Sequence, residues 1–93
     1  MHSSAINTVR IQAVHGRSDE LGLHLARIAE AIREAPGCLD YTVQPCPVIP
    51  DRWIVSGHWQ TRQFMESHFA LPALQGFIEL IDNRVASRLD FNH

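Results

Sequence analysis

No stretch of this chain approaches the roughly 18 consecutive apolar residues that a membrane-crossing helix requires. Its first ten residues, MHSSAINTVR, lack the apolar core of a secretory leader. Both absences argue against a membrane partner and lead us to expect a cytoplasmic protein. Basic residues are not in excess: 8 Lys and Arg stand against 10 Asp and Glu, a formal net charge of −2. Such a balance gives no general attraction to phosphate backbones, so no nucleic acid is expected as a partner. Cysteine is scarce, with only Cys38 and Cys46. If both lie on one strand, as read below, eight residues separate them by about 26 Å. That is far beyond the reach of a disulfide, and two free thiols suit a reducing compartment. Internal repeats, low-complexity tracts and Gly/Ser linkers are absent as well.

What is present describes one folded unit. The 93 residues are 45% hydrophobic and 19% charged, ordinary values for a globular protein. We read residues 1–93 as a single domain whose first three residues are loose. A chain this short buries only about 60–65% of its unfolded surface, so self-association would help it stay folded.

The hydrophobic pattern switches period several times. Residues 5–14 alternate, with Ala5, Asn7, Val9, Ile11 and Ala13 on one face and Ile6, Thr8, Arg10 and Gln12 on the other, which predicts a strand. Leu21, Leu25, Ile28 and Ile32 then form a helical stripe, with Ser18 as the expected N-cap and Pro36–Gly37 as the stop. Gly22 should weaken this helix by about 1 kcal/mol relative to alanine. CLDYTVQP predicts a second strand with Leu39, Tyr41 and Val43 on its apolar side. RWIVSGHWQ predicts a third, with Trp53, Val55, Gly57 and Trp59 aligned. Thr61 should cap a short helix over 62–68, and Pro72 should open another over 72–81. NRVASRLDF closes with a fourth strand, Val85, Ser87, Leu89 and Phe91 facing one way.

The order β-α-β-β-α-β predicts an α+β, ferredoxin-like sandwich: a four-stranded antiparallel sheet in the order 4-1-3-2 with helices on one face. Asn7, Gly57, Trp59, Leu89 and Phe91 should then gather at one end of the covered face. The uncovered face would carry Ile6, Thr8, Arg10, Gln12, Ile54, Ser56, Arg84, Ala86 and Arg88. It is neither fully polar nor fully apolar and could be covered by a second copy. It offers no Phe, Tyr or Trp on which RNA bases could stack.

Few residues carry candidate chemistry. Asn7 interrupts an apolar face, so its amide is either a structural hydrogen-bond hub or a group that orients a substrate carbonyl. Trp59 is either core or a flat wall for a planar ligand, and its indole N–H needs an acceptor. Tyr41 and Ser87 share that ambiguity, and Phe91 would line the same end. His68 ends a helix, where it could cap free carbonyls, act as a base near neutral pH, or bind heme. His15, His24 and His58 show no short ligand spacing, and neither a Gly-rich phosphate loop nor a Gly-x-Ser-x-Gly elbow occurs, so no metal site is expected.

EAPGCLDYTV followed by HWQTRQFMESHFALPAL resembles the antibiotic biosynthesis monooxygenase family. The resemblance rests on Pro36-Gly37-Cys38, Tyr41, Trp59, His68 and Pro72, and spans roughly residues 5–91. It implies a dimeric α+β barrel in which two sheets pack through their uncovered faces. It also implies a pocket between each sheet and its helices. Members include cofactor-independent oxygenases of quinols and phenols, together with heme-degrading enzymes. On that basis the expected function is oxidation of a small planar aromatic by dioxygen, with no cofactor. His68 would be the base, Asn7 the orienting group, and Trp59, Tyr41, Gly57, Ser87 and Phe91 the substrate contacts. A non-catalytic ligand-binding or stress-associated homodimer is the alternative, and heme degradation a third. Relatives commonly place an acidic residue where this chain has Gly57, and a glycine there is expected to widen the pocket.

Overall fold

Alternation and helical periodicity translate into seven elements. They are β1 (Ala5–Ala13), α1 (Ser18–Arg33), β2 (Cys38–Pro45), β3 (Arg52–Trp59), α2 (Arg62–His68), α3 (Ala73–Asp82) and β4 (Ala86–Asn92). The computed structural model describes residues 4–68 and 73–92, excepting the side chains of His68, Ala73, Leu74 and Asn92. The expected Pro72 helix start lies outside the described residues. The four strands form one antiparallel sheet in the order β2-β3-β1-β4, the order expected from the sequence.

One face of the sheet and the helices share a core. Val9, Ile11, Tyr41, Val55 and Trp59 from the strands meet Leu21, Leu25, Ala29 and Ile32 of α1, Met65 of α2, and Phe77 and Leu80 of α3, all buried. α1 is amphipathic because its apolar residues recur every three to four positions, which places them in a single stripe on that core. α2 begins where Thr61 Oγ1 accepts a hydrogen bond from the Phe64 amide at 3.2 Å, as the capping expectation required. It packs against β1 and β3. Before it, Gly37 adopts φ 78°, and the Phe64 side chain sits where a Cβ on Gly37 would project.

Four local expectations are corrected. Ser18 is not the cap of α1 but its first residue; Arg17 occupies the cap position, with no side-chain capping bond. The Ser18 hydroxyl instead accepts from Trp53 Nε1 at 3.1 Å, because that indole lies against Gly22 of the same helix. Leu39 is 62% exposed rather than inward-facing, since the β2–β3 register shifts between Cys38 and Asp40 and leaves it as a bulge. A second register shift, between Gln12 and Ala13, pairs Ala86 with Ala13 and buries it at 2% exposure, so Ala86 leaves the open face. Arg84, also expected on that face, lies before β4 at φ 59°.

Arg17 makes a connection that strand and helix patterns do not reveal. Its guanidinium holds both Glu20 carboxylate oxygens, at 2.9 and 2.7 Å, and donates to the carbonyls of Asn83 and Arg84, each at 3.1 Å. The start of α1 is thereby tied to the turn between α3 and β4. The Arg17 bond holds the Glu20 carboxyl below its usual range.

Candidate functional site

Three neighbouring strands place Tyr41, Gly57 and Asn7 in one row across the sheet. Gly57 on β3 pairs with Tyr41 on one side and Asn7 on the other. Trp59 follows two residues later on the same face of β3. With no side chain at the centre of the row, its neighbours close over the gap. A Cβ on Gly57 would fall on Asn7 Oδ1 and lie 2.7 Å from Tyr41 Cε2 and 2.9 Å from Trp59 Nε1. The expectation that Gly57 widens a pocket is therefore corrected. The space it frees is filled by Asn7, Tyr41 and Trp59.

The resulting cluster is buried and ordered by chemistry. Trp59 and Tyr41 are 0% exposed and Asn7 1%. Their rings meet edge to face, centroids 6.4 Å apart at 77°. Trp59 Nε1 donates to Asn7 Oδ1 at 2.7 Å. An indole nitrogen only donates, so this bond fixes which end of the amide faces it. Asn7 Nδ2 is buried, with the Tyr41 phenol as its hydrogen-bonding neighbour. Burial pushes the Tyr41 phenol up to about 12; a side-chain hydrogen bond from Asn7 offsets part of that rise, and the Cys38 thiol adds to it. Tyr41 consequently stays protonated at neutral pH and cannot serve there as a base.

The other sequence candidates are placed unevenly. α2 ends at His68, but the His68 side chain lies outside the described residues. Phe91 pairs with Val9, two positions along β1 from Asn7, and meets the buried Phe77 edge to face at 6.3 Å and 86°. It is 47% exposed. Leu89 pairs with Ile11, four positions along β1 from Asn7, and lies towards the opposite end of the sheet. Ser87 is not brought to the cluster. It is the extra residue of the β4 bulge, exposed, donating to the Gln12 carbonyl at 3.4 Å. Five residues of β1 put that point about 17 Å from Asn7. Cys38, paired with Trp59, has its thiol pushed up by burial, which disfavours the thiolate.

Two clefts lined by described residues lie elsewhere. One of about 450 Å³ runs between α1 and α3 past Arg17, His24, Ile28 and Asn83. Another of about 410 Å³ runs beside Gly22, Arg33, Val43 and Trp53. Among the described residues, no group of three or more His, Cys, Asp or Glu could hold a metal ion. No helix among them is long and apolar enough to cross a membrane.

Residues 4–80 match the model of a family described as antibiotic biosynthesis monooxygenase. No curated protein sequence matches the chain significantly. Among solved structures, the chain is similar to a Deinococcus radiodurans protein assigned to those monooxygenases. Identity is 26% with a TM-score of 0.84, covering 97% of this chain and 88% of that one. A Nitrosomonas europaea protein of the same assignment shares the fold at 11% identity and TM-score 0.82, with 99% and 88% covered. One from Chloroflexus aurantiacus does so at 23% identity and TM-score 0.69, with 97% and 91% covered.

Proposed function

The chain belongs to the antibiotic biosynthesis monooxygenase family, and from that membership we propose that it oxidises a small planar, oxygenated aromatic of the quinol type with dioxygen. The observation that carries this reading is the buried cluster of Asn7, Tyr41 and Trp59, which sets one polar amide among aromatic rings at one end of the covered face. A ligand oxygen would take the place of the Tyr41 phenol as acceptor for the Asn7 N–H. Trp59 and Tyr41 are 0% exposed, so a planar ligand would stack on their rings once the cluster opens to admit it.

The proposed base is His68. Its imidazole takes the phenolic proton, leaving an electron-rich anion that passes electrons to dioxygen without a metal or flavin. The balance for a quinol is quinol plus dioxygen to hydroxyquinone plus water, so one oxygen atom enters the product. Tyr41, protonated at neutral pH, is left to binding. The working unit is a homodimer packed through the uncovered sheet faces.

Oxygen uptake with a panel of quinols tests the reaction. Labelled dioxygen should place one labelled atom in the product, and His68→Ala should lower the rate by about 10²–10⁴-fold. An unchanged rate removes His68 as base. Tight binding of a quinol without oxygen uptake identifies a non-catalytic ligand-binding dimer instead. A Soret shift on adding hemin, followed by loss of the heme, identifies the heme-degrading alternative.

A further inference from the structure

β2 is an edge strand, and the direction of its main-chain groups can be worked out residue by residue. The Cys46 N–H donates to the Arg52 carbonyl at 2.7 Å, and the β2–β3 register runs unbroken from Asp40 to Pro45. Main-chain bonding alternates along an antiparallel pair, so Asp40, Thr42, Gln44 and Cys46 face β3 while Tyr41, Val43 and Pro45 face outward. The Tyr41 groups agree. Its N–H donates to Asp40 Oδ1 and its carbonyl accepts from Arg33 Nε, each at 2.9 Å. Pro45 has no N–H to give. The edge is thus closed on both sides of Val43, whose own N–H and C=O point out of the sheet with no strand beside them. A long added strand finds no continuous ladder here. A single amino-acid unit does find one, because its N–H and C=O match those of Val43.

Val43 also lines the cleft of about 410 Å³ beside α1. Leu23, 67% exposed, and the half-buried Trp53 indole, seated on Gly22, are its apolar walls. Arg27, Glu30 and Arg33 line it from the helix, two positive groups against one negative. Residues directly opposed in an antiparallel pair point their side chains to the same face. A unit bonded to Val43 therefore places its side chain on the face that holds Tyr41 and Val43, in this cleft. Antiparallel direction turns its C-terminal end towards Tyr41, where Arg33 stands, and its N-terminal end towards Pro45. Among the described residues Arg33 engages Tyr41 through Nε, which leaves its terminal N–H groups for an anion.

We infer that this cleft, separate from the Asn7–Tyr41–Trp59 cluster, binds a small N-acylated amino acid with an apolar side chain. Its amide N–H donates to the Val43 carbonyl. One carboxylate oxygen accepts from the Val43 N–H and the other faces the Arg33 guanidinium, while the side chain packs against Leu23 and Trp53.

Titration with N-acetyl-L-phenylalanine, read in the amide NMR spectrum, tests the site. The Val43 signal should shift saturably. N-Methylation of the ligand amide removes one hydrogen bond and should weaken binding about fivefold. N-Acetylglycine, which lacks the apolar group, should bind roughly tenfold weaker or worse. Leu23→Glu changes an exposed side chain and should weaken binding without unfolding the protein. Arg33→Gln should weaken the free acid but not its methyl ester. Val43→Pro removes the N–H alone, at an outward position like that of Pro45, and should abolish the binding. No saturable Val43 shift at millimolar ligand overturns the proposal. So does an N-methyl ligand that binds wild type as well as its parent, an arm that decides even if Val43→Pro fails to fold. Acetyl-Ala-Ala-Phe extends past Pro45 and should bind no better than N-acetylphenylalanine. Tighter binding of the peptide overturns the small-molecule assignment in favour of a chain end.

Discussion

Tyr41 is the single tyrosine of the chain, so its ionisation can be followed without interference from another phenol. Its folded-state value is raised from 10.0 to about 12, first by burial. In the window between those values the unfolded chain gives up this proton and the folded chain keeps it. Stability supplied by the protonated phenol is thus complete below pH 10 and falls as pH rises towards 12. A spectrophotometric titration of tyrosinate should show a midpoint well above that of a free tyrosine, coincident with unfolding. The alkaline loss of stability should shrink in Tyr41→Phe. A midpoint at the ordinary value would place the phenol in water. Asn7 and Trp59 give a second prediction at this scale. Asn7→Leu removes the acceptor of a buried indole N–H and should cost about 1–3 kcal/mol in chemical denaturation. Adding Trp59→Phe removes the donor as well and should recover part of that loss, because the penalty belongs to the mismatch. The proximity of Asn7 and Trp59 was legible in the sequence, because the strand order brings the two to one end, and each was expected to need a partner; the bond between them was not. Nor was the packing around Gly57, because the effect of a missing Cβ depends on which neighbours lean into its place.

Helix α1 and strand β3 show the same limit one level up. Propensity alone makes Gly22 a defect, and Gly22→Ala should then stabilise the helix by about 1 kcal/mol. Packing reverses the sign. A Cβ at position 22 would lie 2.7 Å from both Cζ2 and Cη2 of Trp53, whose indole is tethered to Ser18. Overpacking typically costs about 1–3 kcal/mol, enough to cancel or exceed the propensity gain. Gly22→Ala should therefore lower the melting temperature in the wild-type background and raise it in a Trp53→Leu background. A gain in both would show that the ring moves aside freely. This contact also explains why the Ser18 cap was misread. The hydroxyl is claimed by a side chain 35 residues away, a competitor that a local capping pattern does not contain. The bulges that expose Leu39 and bury Ala86 escaped for a related reason. Period-2 alternation assumes an unbroken register, and one extra residue inverts every face after it.

The order of elements and the covered face followed from hydrophobic periodicity, and the strand order from the β-α-β-β-α-β motif they compose, because each is set by the whole pattern and survives an error of one residue. What covers the other face is a matter of the whole molecule. Ile6 is 52% exposed there, beside Arg10 and the half-buried Thr8, Ile54 and Ser56. His58 pairs with Ile6 on one side and Asp40 on the other, and its Nδ1 is buried without a partner among the described residues. A buried nitrogen of that kind, on a face with no helix over it, is what an absent polar partner from another copy would satisfy. A standard interface takes about 800 Å² from each partner, roughly one-seventh of the 5892 Å² that this chain exposes. Sedimentation at micromolar concentration should give a mass of two chains. Ile54→Arg introduces a charge near the middle of the proposed contact, with no carboxylate among the residues paired with it. It should shift the mass towards one chain and lower the melting temperature, with the dependence on protein concentration lost. A wild-type mass of one chain across the micromolar range would instead leave the sheet face solvated.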